Sequence, residues 1–112
     1  MNLWYRVSDL DAARAFYVET LGFTELFREG GGGWMRLRRD GVEVALAEGE
    51  PEGDGGGDEA VLTFDVTDLR AEAERLRAAG ADVGVVVEIP GTIRLLDVYD
   101  PDGNRIQLTE DL

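Results

Sequence analysis

Cysteine, histidine and lysine are all absent from this 112-residue chain, and serine occurs once. Without histidine the commonest general base is missing; without cysteine and lysine, so are the thiol nucleophile and the Schiff-base amine. Ser8 has no imidazole to activate it as a triad nucleophile. Carboxylates, tyrosines, arginines and bound water are the chemistry left. No apolar run approaches the roughly 20 residues that span a bilayer, and no basic, apolar N-terminal stretch marks a secretory signal. A soluble, cytoplasmic protein is the expectation. The lack of cysteine also means that no redox compartment can be read from disulfides.

What is present is acidic. Asp and Glu number 24 against 11 basic residues, all arginine, for a formal charge of −13. That balance argues against nucleic acid or an anionic membrane as partner, since both require basic stripes. It is compatible with a cationic ligand drawn in by the negative field. The hydrophobic fraction of 44% suits one small globular domain. A chain this short buries a modest share of its surface, so a homodimer is expected.

One signature occurs twice. Val7-Ser8-Asp9-Leu10 and Val66-Thr67-Asp68-Leu69 share the pattern Val-x-Asp-Leu, with their aspartates 59 residues apart. Each copy sits where an alternating apolar run gives way to helical spacing. Residues 2–7 alternate as a half-buried strand, with Leu3, Tyr5 and Val7 on one face and Asn2, Trp4 and Arg6 on the other. Asp9 is a suitable N-cap for a helix carrying Leu10, Ala13, Phe16, Tyr17 and Leu21, closed by Gly22. Residues 23–28 and 34–38 read as strands around a glycine loop at 30–33. Asp40-Gly41 is a hairpin turn into a strand that alternates Val42, Val44 and Leu46 with Glu43, Ala45 and Ala47.

An acidic, glycine-rich linker at 49–58 separates module one (1–48) from module two (59–112). The order then repeats: a strand over 61–66, a helix from Leu69 to Ala79 capped by Asp68 and Gly80, strands over 83–89 and 93–99, a tight Asp100-Pro101-Asp102-Gly103-Asn104 turn, and a last strand over 105–109. Two tandem βαβββ modules, with helices on one face of mostly antiparallel strands, make an α+β fold. The other strand faces are left to curve into a cup.

Three motifs in this order resemble the vicinal oxygen chelate superfamily, which includes glyoxalases, bleomycin resistance proteins and extradiol dioxygenases. They are Val7-x-Asp9-Leu10 with Phe16-Tyr17 and Leu21-Gly22-Phe23; Phe64-x-Val66-x-Asp68; and Asp100-Pro101-Asp102-Gly103-Asn104-x-Ile106. The resemblance covers nearly the whole chain. It implies four metal-ligand positions in the cup, which here fall on Asn2, Ala45, Val61 and Gln107. Relatives use His, Glu or Gln there. Alanine and valine have no donor atom, and two neutral amides are too few for Zn²⁺, Ni²⁺ or Fe²⁺. No metal or other cofactor is expected, and with the metal go the glyoxalase I and dioxygenase mechanisms.

By alternation the cup face shows Asn2, Trp4 and Arg6, then Glu43, Ala45 and Ala47, then Val61, Thr63 and Asp65, then Arg105, Gln107 and Thr109. Trp4 among polar neighbours suits stacking on an aromatic or cationic ligand. Arg6 and Arg105 are placed to pair with Glu43 and Asp65, or to clamp a ligand's carboxylate or phosphate. Alternation leaves open which face of 33–38 and 93–99 looks inward, so Trp34 and Tyr99 join the candidates conditionally. Tyr5 and Tyr17 read as core. The resemblance points to a metal-free, bleomycin-resistance-like protein that sequesters a small molecule in the cup. Two alternatives stay open: a metal-independent lyase or isomerase using Asp65, Glu43 or Tyr99 as acid or base, and an accessory subunit with a vestigial cup.

Overall fold

Each half of the chain begins with a short strand whose apolar alternation stops at a capping aspartate. The computed structural model describes residues 3–29, 33–49 and 61–112. The chain divides into two compact units, Met1–Val61 and Leu62–Leu112. Asn2, most of the 30–33 loop and nearly all of the expected linker lie outside the described residues.

The first unit runs β1 (Trp4–Val7), α1 (Leu10–Ala15), β2 (Thr24–Arg28), β3 (Trp34–Arg39) and β4 (Val42–Glu48). After α1 the helix widens into a π-helical turn, Phe16–Thr20, in which Leu21 N–H reaches back to the Phe16 carbonyl at 3.0 Å. The sheet order is β1-β4-β3-β2, with β1 parallel to β4 and the other pairs antiparallel. The second unit runs β5 (Leu62–Asp65), α2 (Leu69–Ala78), β6 (Asp82–Val83), β7 (Val87–Ile89), β8 (Ile93–Tyr99) and β9 (Arg105–Asp111). Its order is β5-β9-β8-β6, with β7 also on β8 and β5 parallel to β9. In both units the first strand therefore crosses over through a helix and pairs parallel with the last strand, as expected of an α+β fold. No helix among the described residues is long and apolar enough to cross a membrane.

The apolar alternation lies under the helices. Tyr5, Val7, Leu10, Ala13, Tyr17, Met35, Leu37, Val44 and Leu46 form the buried core of the first unit. Leu62, Phe64, Leu69, Ala73, Leu76, Leu96, Val98, Ile106 and Leu108 form that of the second. Each large side chain contributes about 1.5–3 kcal/mol by leaving water. Tyr17 packs edge-on against both Phe16 and Phe23, at 5.4 and 6.0 Å between ring centroids.

The helix starts are closed by two carboxylates each. Asp9 accepts from the N–H groups of Asp11 and Ala12, and Asp68 from that of Ala71. Leu10 N–H donates to Glu48 of β4 at 2.7 Å, and Leu69 N–H donates to Glu110 of β9 at 3.0 Å. Helix starts leave orphan donors, and negative charge there is favoured by the helix dipole. The long-range half of this arrangement follows the duplication, yet local capping rules do not foresee it. Removing the side chain in Glu48→Ala is expected to cost about 1 kcal/mol, lowering the thermal midpoint by roughly 4 °C. Glu110→Ala should behave alike in a thermal melt; an unchanged midpoint in both variants would remove the capping role.

One expected strand is corrected. Residues 83–89 do not form a single strand: β6 and β7 pair with opposite ends of β8. Between them Gly84 N–H donates to the Asp97 carbonyl at 2.9 Å, and a Cβ on Gly84 would sit 3.4 Å from that oxygen. The Val85-Val86-Val87 run has no polar alternation to hold one register, and Val85 is left 76% exposed.

The β8–β9 turn is held by a buried carboxylate. Asp100, 3% exposed, accepts from the N–H of Asp102 at 3.0 Å, the N–H of Asn104 at 2.8 Å and the side-chain amide of Asn104 at 2.9 Å. Gly103, at φ +83°, takes the left-handed position. This turn sets the register that aligns Tyr99 with Arg105 and Asp97 with Gln107. Asp100→Ala removes this buried acceptor from three hydrogen bonds and is expected to cost about 2–3 kcal/mol. Urea unfolding should show a lower midpoint at unchanged slope; an unchanged midpoint would show that the turn holds itself.

Candidate functional site

Directly paired residues share a face of a sheet, so the register shows which side chains of β3 and β8 lie beside those of β4 and β9. In the first unit Trp34, Arg36 and Arg38 of β3 oppose Ala47, Ala45 and Glu43 of β4. Trp4 and Arg6 of β1 oppose Ala45 and Ala47 from the other side. All of these lie on the face turned away from α1, while Met35 and Leu37 are buried beneath it. Two rows result: Trp4, Ala45, Arg36 and Arg6, Ala47, Trp34. The small side chains of the central strand form a floor between larger residues on both flanks.

One ion pair and one cation–π contact hold side chains on this surface. Arg36 Nε donates to Glu43 at 2.6 Å, and a second guanidinium nitrogen also contacts the same carboxylate oxygen. The Arg6 guanidinium carbon lies 5.7 Å from the Trp4 ring centroid, within cation–π range. A depression of about 20 Å³ is lined by Leu3, Trp34, Arg36, Glu43, Val44 and Ala45. A water fills roughly one probe sphere of 10–15 Å³, so this dent seats a single functional group. Phe27 of β2 opposes Arg36 and is half exposed on the same face. Sequence reasoning missed it because a register shift between Glu25 and Phe27 breaks the alternation of β2; the adjacent Leu26-Phe27 pair was the available signal.

The second unit has its own polar face. Thr63 opposes Gln107, which opposes Asp97; Asp65 opposes Thr109; Arg105 opposes Tyr99. Asp97 and Tyr99 therefore share the face of Gln107, with Leu96 and Val98 buried on the other side. Asp97 is the hub, 3.1 Å from Arg105 Nε and 3.5 Å from the Gln107 amide nitrogen. The Thr109 hydroxyl donates to Asp65. The pairings differ from those expected: Glu43 is held by Arg36, Arg105 by Asp97 and Asp65 by Thr109. Arg14 and Arg94 have guanidinium pKa values raised above the ordinary one, Arg14 by its hydrogen bond to Glu25 and Arg94 chiefly by that to Glu88. Both lie outside the two polar faces.

The residues do not suit a divalent transition metal. Ala45 and Val61 have no donor atom, and the Gln107 amide nitrogen faces Asp97. Among the described residues no three His, Cys, Asp or Glu side chains converge.

The profile of the Glyoxalase/Bleomycin resistance protein/Dioxygenase superfamily matches residues 3–108. A search of curated proteins returned no match. Among solved structures the chain is similar to TnmS3, an antibiotic binding protein from Streptomyces sp. CB03234. The TM-score is 0.78 at 28% identity, over 100% of this chain and 96% of that one. TioX from Micromonospora sp. ML1 gives a TM-score of 0.77 at 26% identity, over 100% and 95% of the two chains. An integron cassette protein from the mobile metagenome of the Halifax Harbour sewage outfall shares the fold, with a TM-score of 0.83 at 22% identity over 98% and 96%. The profile match runs from just before β1 into β9, and on that extent the chain belongs to the Glyoxalase/Bleomycin resistance protein/Dioxygenase superfamily.

Proposed function

We propose that this protein binds and sequesters a planar aromatic small molecule, without a metal and without transforming it. The observation that carries this reading is the placement of Trp4 and Trp34 on one polar sheet face, on opposite flanks of a floor made by Ala45 and Ala47. Indole and phenyl faces stack on flat ligands in offset or edge-on arrangements. The likeness to TnmS3, an antibiotic binding protein, supports a ligand of antibiotic type. Metal-free action follows from the donor-poor side chains at the family's ligand positions, Asn2, Ala45, Val61 and Gln107. A homodimer remains part of this reading, since a chain this short gains buried area by pairing. A lyase or isomerase reading is less well supported: Asp65 and Asp97 are both engaged by neighbours across their sheet, and Glu43 by Arg36.

The chain has two tryptophans, and both lie on this face, so intrinsic fluorescence reports the site directly. Planar aromatic antibiotics should quench it saturably. Trp4→Ala and Trp34→Ala should each weaken binding by about tenfold, consistent with stacking worth about 1–3 kcal/mol. Zn²⁺ or Ni²⁺ should leave the thermal midpoint unchanged. The reading fails if bound ligand is recovered chemically altered or if both tryptophan variants bind as well as the parent. It also fails if a metal raises the midpoint and Gln107→Ala abolishes that rise.

A further inference from the structure

The formal charge of −13 points toward a cationic ligand, but the polar face of the first unit's sheet has the opposite local charge. At its paired strand positions it carries Arg6, Arg36 and Arg38 against one carboxylate, Glu43. Glu29, just past β2, donates its N–H to the Trp34 carbonyl and so lies at the far end of β3 from Arg38, which opposes Thr24. At physiological ionic strength charges are screened beyond about 8 Å, so these neighbours, and not the net charge, set the potential that a bound ligand meets.

The arginines are not equivalent. Arg36 is closed onto Glu43, and Arg6 lies over the Trp4 ring. The Arg38 side chain is exposed and makes no hydrogen bond or ion pair among the described residues. Guanidinium presents a planar fork of donors that matches a carboxylate. Arg38 and Trp34 are four residues apart on β3, a rise of about 13 Å in an extended strand. A fused two-ring acid together with the reach of the arginine side chain covers that distance, and Phe27 and Arg36 lie along the way.

Resting on the binding reading above, we propose that the ligand class of this face is the planar aromatic acid: its ring stacks against the tryptophan-bearing rows and its carboxylate is taken by Arg38. Calorimetric titration at about 0.15 M ionic strength compares naphthalene-2-carboxylate, naphthalene-2-carboxamide and naphthalen-2-ylmethylammonium. The carboxylate is expected to bind about tenfold more tightly than the carboxamide, the ratio of one charge-assisted hydrogen-bonded pair, and the ammonium most weakly. Arg38→Gln should bring the carboxylate-to-carboxamide ratio close to one, and Arg38→Lys, which keeps the charge but not the fork, should retain part of it. A ratio near one in the parent protein, a preference for the ammonium, or a ratio unmoved by Arg38→Gln overturns the acid specificity and leaves aromatic binding standing. If none of the three binds, the binding reading itself falls and the specificity falls with it.

Discussion

Parallel pairing of the first strand with the last is the constraint on which both units depend. A parallel pair cannot be joined by a tight turn; it needs a crossover, and here the connection leaves through a helix and returns through the intervening strands. β1 on β4 and β5 on β9 thus fix where α1 and α2 lie, against one face of their sheets. The last strand also returns a glutamate to the helix it passes: Glu48 to Leu10 and Glu110 to Leu69. Strand pairing and helix capping therefore reinforce one another, and each unit has an apolar face under its helix and a polar face on the other side.

The candidate site is a consequence of that division. Once Tyr5, Met35, Leu37 and Leu46 are committed to the helix side, period-two alternation sends Trp4, Arg6, Trp34, Arg36 and Arg38 to the other. The alanines of β4 matter because they are small: larger residues at 45 and 47 would fill the floor between the flanking tryptophans. One of these, Ala45, falls on a position that the family resemblance assigns to a metal ligand. Alanine there offers no donor atom, and with Ala47 it forms a small-residue floor between the flanking side chains.

Net charge was a poor guide to this surface. The excess of carboxylates is a property of the whole chain, whereas Arg6, Arg36 and Arg38 meet on one face through sheet register. Several of the other acidic groups have structural partners, such as Asp9, Asp68 and Asp100 on backbone donors and Glu48 and Glu110 at helix starts. Screening over about a Debye length makes such local grouping decisive.

Both helices, their aspartate caps, the hairpin at Asp40, the Asp100 turn and the buried apolar faces of β1, β4, β5 and β9 were legible in the sequence. Local spacing alone specifies helical and strand period, and the repeated Val-x-Asp-Leu aligned the halves. Other features needed the tertiary structure. The faces of β3 and β8 depend on register with a neighbour, so Trp34, Asp97 and Tyr99 could be placed only once pairing was known. Phe27 reached the polar face through an irregularity in β2, and 83–89 broke in two because the Gly84 N–H bonds to the β8 carbonyl of Asp97. The ion-pair partners of Glu43 and Arg105 also escaped the sequence, because side chains choose among several opposite charges by distance. The sequence by itself determined most of the strands and helices and that the Ala45 and Val61 side chains carry no donor atom; register, a property of paired strands, decided which residues share a face.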